Sequence, residues 1–314
     1  MKIAVSACLL GEQVRFDKGH KRDEFVMDEL SRYAEYVSFC PEHFAFGSPR
    51  PSIRMVSKGE ELKIISNKTK EDLTSPLLKT SLEDLEKVSS QNVCGIIFKS
   101  KSPTCGLMSS KVYLENGFAD GKDNGIFANL CKEKFPLLPM EEEGRLNDAW
   151  LRENFVMQVF AYESFEKFKE GATMSGLVKF HQRSKFTLQS KDESLYRVLG
   201  RIVGNHLNQD FQDLLDEYEF HFKTAIAKKS GIGKTRNVLE HMAGFLKNFL
   251  SAEEKKMFHE QIEDYAKKII PLIVPLSTLN LYATKYAVSY LLEQTFLNPY
   301  PKELALRSDV KSVK

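Results

Sequence analysis

Val93-Cys-Gly-Ile-Ile-Phe-Lys99 runs straight into Ser100-Lys-Ser-Pro-Thr-Cys105. The first stretch is almost wholly apolar and rich in valine and isoleucine, the pattern of a strand buried on both faces. The second carries serines and a proline, which set a turn. A strand of that kind belongs to a parallel sheet covered by helices, and such a sheet takes its ligands beyond the carboxyl ends of its strands. Cys105 stands in that place.

Working outward, Lys2–Ser6, Tyr36–Phe39 and Leu62–Ser66 are further strand candidates. Asp23–Ala34, Lys70–Ser89 and Asn124–Glu133 show the apolar spacing of helices between them. Strands alternating with helices predict an α/β domain with a mainly parallel, Rossmann-like sheet over residues 1–140. Phe135-Pro-Leu-Leu-Pro-Met-Glu-Glu-Glu-Gly144 reads as a linker, with two prolines, an acidic run and a glycine. Residues 141–314 then repeat with a period near 3.6, over Trp150–Phe168, Leu177–Gln189, Leu195–Leu207, Phe211–Ala227, Val238–Phe249 and Ala252–Ile269. That predicts an all-α domain, interrupted by Pro271 and Pro275.

The 314 residues suffice for two domains, and 42% of them are hydrophobic. The 45 basic and 43 acidic residues nearly cancel, so net charge gives no reason to expect a nucleic-acid partner. Any basic surface must come from local segregation. The N-terminal MKIAVSACLLGEQVR is too short in apolar residues for a signal sequence, and no stretch is long enough to span a membrane. The expected location is the cytoplasm, with no membrane partner; the oligomeric state is left open.

All five cysteines, Cys8, Cys40, Cys94, Cys105 and Cys131, lie in the first half. An odd number in a reducing compartment argues against a disulfide framework. Cys8, Cys40 and Cys105 each follow a predicted strand, in company with Gly11, Pro41 and Pro103. Residues far apart in sequence can therefore meet beyond the sheet. Cys94 falls within a strand and Cys131 within a helix, and both read as packing residues. No CxxC spacing supports a zinc ribbon. Three thiolates without a fourth suit a 4Fe–4S cluster with one iron free for substrate. The residues alone leave that reading open beside scattered structural thiols.

Three blocks carry a resemblance: SACLLGEQVRFDKGHKR at 6–22, FCPEHFAFGSPRPSIRMV at 39–56 and KSKSPTCGLMSSKVY at 99–113. Together they resemble the thiouracil desulfidase (TudS-like) family over residues 1–140. In the second half, LRENFVMQVFAY, GLVKFHQRSKFTLQS, YRVLGRIVGN, NVLEHMAGFLKNFLSAEEK and PLIVPL with QTFLNPYPKELALR resemble a helical domain of the YbgA type, a common fusion partner of that family. The resemblance implies a 4Fe–4S cofactor held by Cys8, Cys40 and Cys105, with Glu42 and Ser102 as catalytic residues. It departs at Lys18, inserted between Asp17 and Gly19, and at Thr104, where serine is usual. It further implies removal of sulfur from a thiolated uracil, preferably 4-thiouridine in transfer RNA. A desulfidase of free thiouracil or thionucleotides is one alternative, and a non-catalytic RNA-binding, redox-sensing module is the other.

The remaining polar residues admit functional and plain readings. Arg15, Asp17, Lys21, Arg50 and Arg54 crowd loops beside the cysteines and could hold phosphate or ribose, or could form charged surface loops. Lys179, Arg183 and Lys185, interleaved with Phe180 and Phe186, could track an RNA backbone or form a solvated helix face. Lys228, Lys229, Lys234 and Arg236 are expected in a flexible loop. Within it SGIGKT, at 230–235, lacks the first glycine of a phosphate loop and follows a helix rather than a strand.

Overall fold

The computed structural model describes residues 1–59, 61–204, 208–304 and 306–308, and divides into two compact units, 1–147 and 148–314. The last residues of the expected helix Leu195–Leu207, together with Asn205 and Ala305 of the blocks quoted above, lie outside the described residues.

In the first unit β1 (Lys2–Ser6), β2 (Glu35–Phe39), α1 (Pro41–Phe46), β3 (Ile53–Lys58), β4 (Glu61–Ser66), α2 (Thr74–Ser89), β5 (Ile96–Phe98), β6 (Ser110–Leu114), β7 (Ala119–Asp123), α3 (Ile126–Lys134) and β8 (Met140–Glu142) follow in order. One sheet runs β2-β1-β5-β8 and is parallel throughout, as the alternation predicts. Its core strands are continuous apolar runs: Ile3, Ala4, Ile96, Ile97 and Phe98 have no exposed surface. The chain steps from β1 to β2 on one side and later to β5 on the other. That reversal opens a crevice at the carboxyl ends of β1 and β5.

The second sheet, β4-β3-β6-β7, departs from expectation. Leu62–Ser66 belongs to it, pairing antiparallel with β3, while β3 and β6 run parallel and β6 and β7 antiparallel. β3 and β6 show only partial alternation, and β7 is almost wholly exposed, so their apolar signal is weak. The expected helix Asp23–Ala34 is a single π-helical turn, Phe25–Glu29, followed by a 3-10 turn, Leu30–Arg32. Ser31 donates its hydroxyl to the Met27 carbonyl at 2.6 Å, a side-chain bond that competes with regular helix.

The supposed linker contains β8, which extends the parallel sheet beside β5. Its acidic run is buried: Glu141, Glu142 and Glu143 are each less than one-tenth exposed. Phe127, on α3, joins the parallel strands from below. Its ring meets Phe39 at the end of β2 (4.7 Å between centroids) and Phe98 at the end of β5 (6.2 Å).

The second unit comprises α4 (Ala149–Lys169), α5 (Met174–Lys191), α6 (Glu193–Gly204), α7 (Phe211–Ala227), α8 (Ile232–Gly244), α9 (Ala252–Ala266), α10 (Ile273–Lys285) and α11 (Ser289–Leu292). Asp148, Thr173, Asp210 and Ser251 cap α4, α5, α7 and α9 through side-chain oxygens, and Ser251 and Glu254 close a capping box. One core forms around Phe165, Tyr218 and Phe222, and another around Leu239, Phe258 and Leu279. Lys234 and Arg236, expected in a loop, lie on α8, where Lys234 donates to the Lys191 carbonyl at 2.5 Å. Among the described residues no helix is long and apolar enough to cross a membrane.

Phe127→Ala removes the ring shared by the ends of β2 and β5. It should cost about 3–5 kcal/mol, read as a lower midpoint in urea unfolding of the full chain; an unchanged midpoint would contradict the role given to this ring.

Candidate active site

Three loops leave the carboxyl ends of the neighbouring strands β2, β1 and β5, and each delivers one cysteine. Cys8 sits in the 3-10 turn Ala7–Leu10 directly after β1. Gly11 closes that turn at φ 90°, a conformation costly for any residue with a Cβ. The Cys8 carbonyl accepts from the Lys21 amide at 2.8 Å, drawing the Arg15–Lys21 loop over the turn. Cys40 is the residue before α1, with Pro41 opening the helix, and its amide donates to the buried Asp84 carboxylate at 3.1 Å.

Cys105 is fixed by its own loop. Ser102 Oγ accepts from the amides of Thr104 and Cys105, both at 3.1 Å. The Thr104 carbonyl accepts from Phe127 and Ala128 at the start of α3. Gly125 permits that approach, because a Cβ there would lie 2.4 Å from the Thr104 carbonyl carbon.

Cys8, Cys40 and Cys105 line one cavity of about 480 Å³. None of the five cysteines is in a disulfide. Burial raises the Cys8 thiol to about 11 and the Cys40 thiol to about 12, and pushes Cys105 well up. Glu42 and the neighbouring thiols raise Cys105 further, while Lys99 and Arg15 draw Cys8 back down. The three thiols therefore share one electrostatic environment. Among the described residues no group of three or more His, Cys, Asp and Glu side chains gathers closely enough to hold a single metal ion.

Glu42 lines the same cavity and is buried. Its Oε2 meets Arg50 Nη2 at 2.5 Å, and its Oε1 accepts the Ser102 hydroxyl at 3.0 Å. Arg50, Glu42, Ser102 and the Cys105 amide thus form a continuous chain of polar contacts beside the thiols.

Of the other residues singled out by sequence, Arg15, Lys21 and Arg50 line the cavity, and Asp17 and Arg54 do not. Asp17 accepts from the Gly19 amide at 3.0 Å and meets Arg15 Nε at 3.4 Å, shaping the loop. Arg54 lies over the Tyr113 ring at 5.5 Å. In the helical unit Lys179 and Arg183 are exposed on α5, and Lys185 sits over the Phe186 ring at 5.2 Å. Phe186 is buried in one core while Phe180 packs, half-buried, against the other, so the two do not form the single stacking surface that their interleaving with basic residues suggests.

Sequence reading missed a second polar group. Lys99, at the end of β5, lines the cavity and pairs with Glu143, which also accepts from the Ser100 amide and hydroxyl at 2.7 Å each. Glu142 accepts from the Leu107 amide at 2.7 Å and from Ser109 Oγ, bracing the far side of the Cys105 loop. The signal was present as an acidic triplet, but in sequence a buried triplet looks the same as a solvated one.

Residues 3–143 match the family model for 2-thiouracil desulfurase, and residues 185–301 match a model described as a protein of unknown function, DUF1722. A solved structure of a 4Fe–4S-dependent thiouracil desulfidase, TudS, is 27% identical over 46% of this chain and 93% of that chain, with a TM-score of 0.38. No curated protein matches the chain.

Burial holds Asp84 up to about 6, against about 4 for an ordinary aspartate. The folded protein then keeps a proton that the unfolded chain releases, so stability falls as pH rises from about 4 through about 6. Asp84→Asn retains an acceptor for the Cys40 amide and does not titrate. Its urea midpoint should gain on wild type across that window and run parallel to it above; a constant difference throughout would contradict the assignment.

Proposed function

We propose that this chain, whose residues 3–143 form a 2-thiouracil desulfurase domain and whose residues 185–301 belong to the DUF1722 family, removes sulfur from a thiolated uracil with a 4Fe–4S cluster held by Cys8, Cys40 and Cys105. The observation that carries this reading is the convergence of three thiols, those of Cys8 and Cys105 buried and that of Cys40 half-buried, from three adjacent strand ends, on one cavity that also holds Glu42 and Ser102. The donor set suits the group: three soft sulfurs, none in a disulfide, with no fourth cysteine lining the cavity. In a cluster each thiolate binds its own iron, so the sulfurs need not gather round one point. When bound, the cluster would supply one iron without a protein ligand, a Lewis acid for sulfur.

The reaction exchanges C=S for C=O. Water supplies the oxygen, a C–O bond forms, the C–S bond breaks, and sulfur leaves as hydrogen sulfide carrying both protons of the water. No electrons are gained or lost. Ser102 presents its hydroxyl beside the thiols and donates to Glu42. Glu42 can accept a proton relayed through that hydroxyl, and Arg50 compensates the carboxylate charge in the buried site. The apolar surround of Val14, Phe39 and Ile53 accepts a planar pyrimidine and limits water.

The preferred substrate is 4-thiouridine within transfer RNA. Arg15 and Lys21 line the cavity and are placed for phosphate, and Lys179, Arg183 and Lys185 add cationic surface in the helical unit. Free thiouracil is the second reading, favoured by the description of the matched family.

Anaerobically reconstituted protein should release sulfide from thiolated RNA, and Cys105→Ala should release none. Ser102→Ala and Glu42→Gln should lower the rate on the order of 10²-fold or more while retaining iron. RNA affinity without sulfide release, from that substrate or from free 4-thiouracil, would leave the non-catalytic binding module. Arg15→Ala and Lys21→Ala should raise KM for thiolated RNA, more so at low salt, and leave KM for 4-thiouracil unchanged. An equal effect on both substrates would argue against phosphate recognition at these positions.

A further inference from the structure

A second cavity, of about 490 Å³, lies in the helical unit and shares no lining residue with the cysteine site. Phe160 of α4, Phe180 and Ser184 of α5, Phe222 of α7, and Thr295 and Asn298 from the segment after α11 line it. Its size and make-up, aromatic walls with a few convergent polar groups, are those of a small-molecule site. Phe180, Ser184 and Thr187 recur at i, i+4 and i+7, so a single face of α5 forms one wall.

One polar group of the lining is not used up by the fold. Ser184 is only 4% exposed yet, among the described residues, makes no side-chain hydrogen bond. A buried hydroxyl in a helix ordinarily finds a partner, often the carbonyl one turn earlier. Thr187 and Thr295, by contrast, bond each other at 2.7 Å. The charged residues of the lining, Glu163 and Lys167, pair at 2.9 Å. Lys179 and Arg183, one turn apart and exposed, stand next to the Phe180–Ser184 face on α5.

We propose that this cavity is a nucleobase-binding site: the ring stacks against phenylalanine, its polar edge bonds Ser184 and Asn298, and Lys179 and Arg183 take the attached phosphate. The base comes from a free nucleotide or from RNA, and the proposal stands whether or not the desulfurase reading does.

Equilibrium dialysis of the full chain against uridine 5′-monophosphate and a short oligouridylate tests it, with ribose 5-phosphate as the control without a base. Wild type should bind both base-containing ligands more tightly than the control. Ser184→Leu, which fills the cavity, should weaken binding about tenfold or more, the worth of a stacked base. Asn298→Ala, at an exposed position, gives the same sign should the first variant fail to fold, and Cys105→Ala should bind as wild type does. Loss for both ligands shows that a free nucleotide suffices, and loss for the oligouridylate alone identifies the source as RNA. Wild-type binding by both Ser184→Leu and Asn298→Ala, or no preference of wild type over ribose 5-phosphate, would overturn the proposal. Sulfide release from 4-thiouracil should be unchanged in both variants and fails separately if the catalytic reading is wrong.

Discussion

A carboxylate buried beside three thiols is expensive unless its charge is met, and the contact between Arg50 and Glu42 meets it. The arrangement of the cavity follows from that pairing. With Oε2 held by arginine, Oε1 is free to fix the Ser102 hydroxyl. The same Ser102 oxygen then takes the amides of Thr104 and Cys105. One ion pair therefore orients Ser102 and, through it, the loop that presents the third thiol. Arg50→Met would leave Glu42 with an unmatched charge, so its effect should spread to the Cys105 loop as well as to the carboxylate.

The far side of that loop depends on a second set of buried charges. Glu142 and Glu143, at the end of β8, receive the amides of Leu107 and Ser100 and the hydroxyls of Ser109 and Ser100. Lys99 offsets Glu143 from the end of β5. The segment from Ser100 to Ser109 is thus suspended between two carboxylate systems, one from α1 and one from β8. A loop fixed at both ends holds its thiol in place without needing regular structure of its own, which is what a preorganised site requires.

The parallel sheet was legible because its strands are buried on both faces and leave long apolar runs, as in Val93–Phe98. The placement of Cys8, Cys40 and Cys105 beyond strand ends followed from the same runs. The second sheet was not legible: β7 reads Ala-Asp-Gly-Lys-Asp, with no apolar pattern, and still pairs with β6. Glu141–Glu143 misled for a related reason. Acidic runs normally solvate linkers, and only the three-dimensional pairing with Lys99, Arg145 and the loop amides shows that these are structural. The helical unit was legible in period, yet Phe180 and Phe186 turned inward where alternation with lysine and arginine suggested a stacking surface. Sequence shows which residues are neighbours on a helix, not which neighbour a core claims.

On the proposed reading, three thiolates hold a four-iron cluster with one iron open to substrate. Mössbauer spectroscopy of anaerobically loaded protein tests it most directly. The loaded protein should hold about four irons per chain, one of them with a signal distinct from the rest that shifts when 4-thiouracil is added. A single metal ion per chain, or full iron loading unchanged in a Cys8→Ser, Cys40→Ser, Cys105→Ser variant, would contradict it.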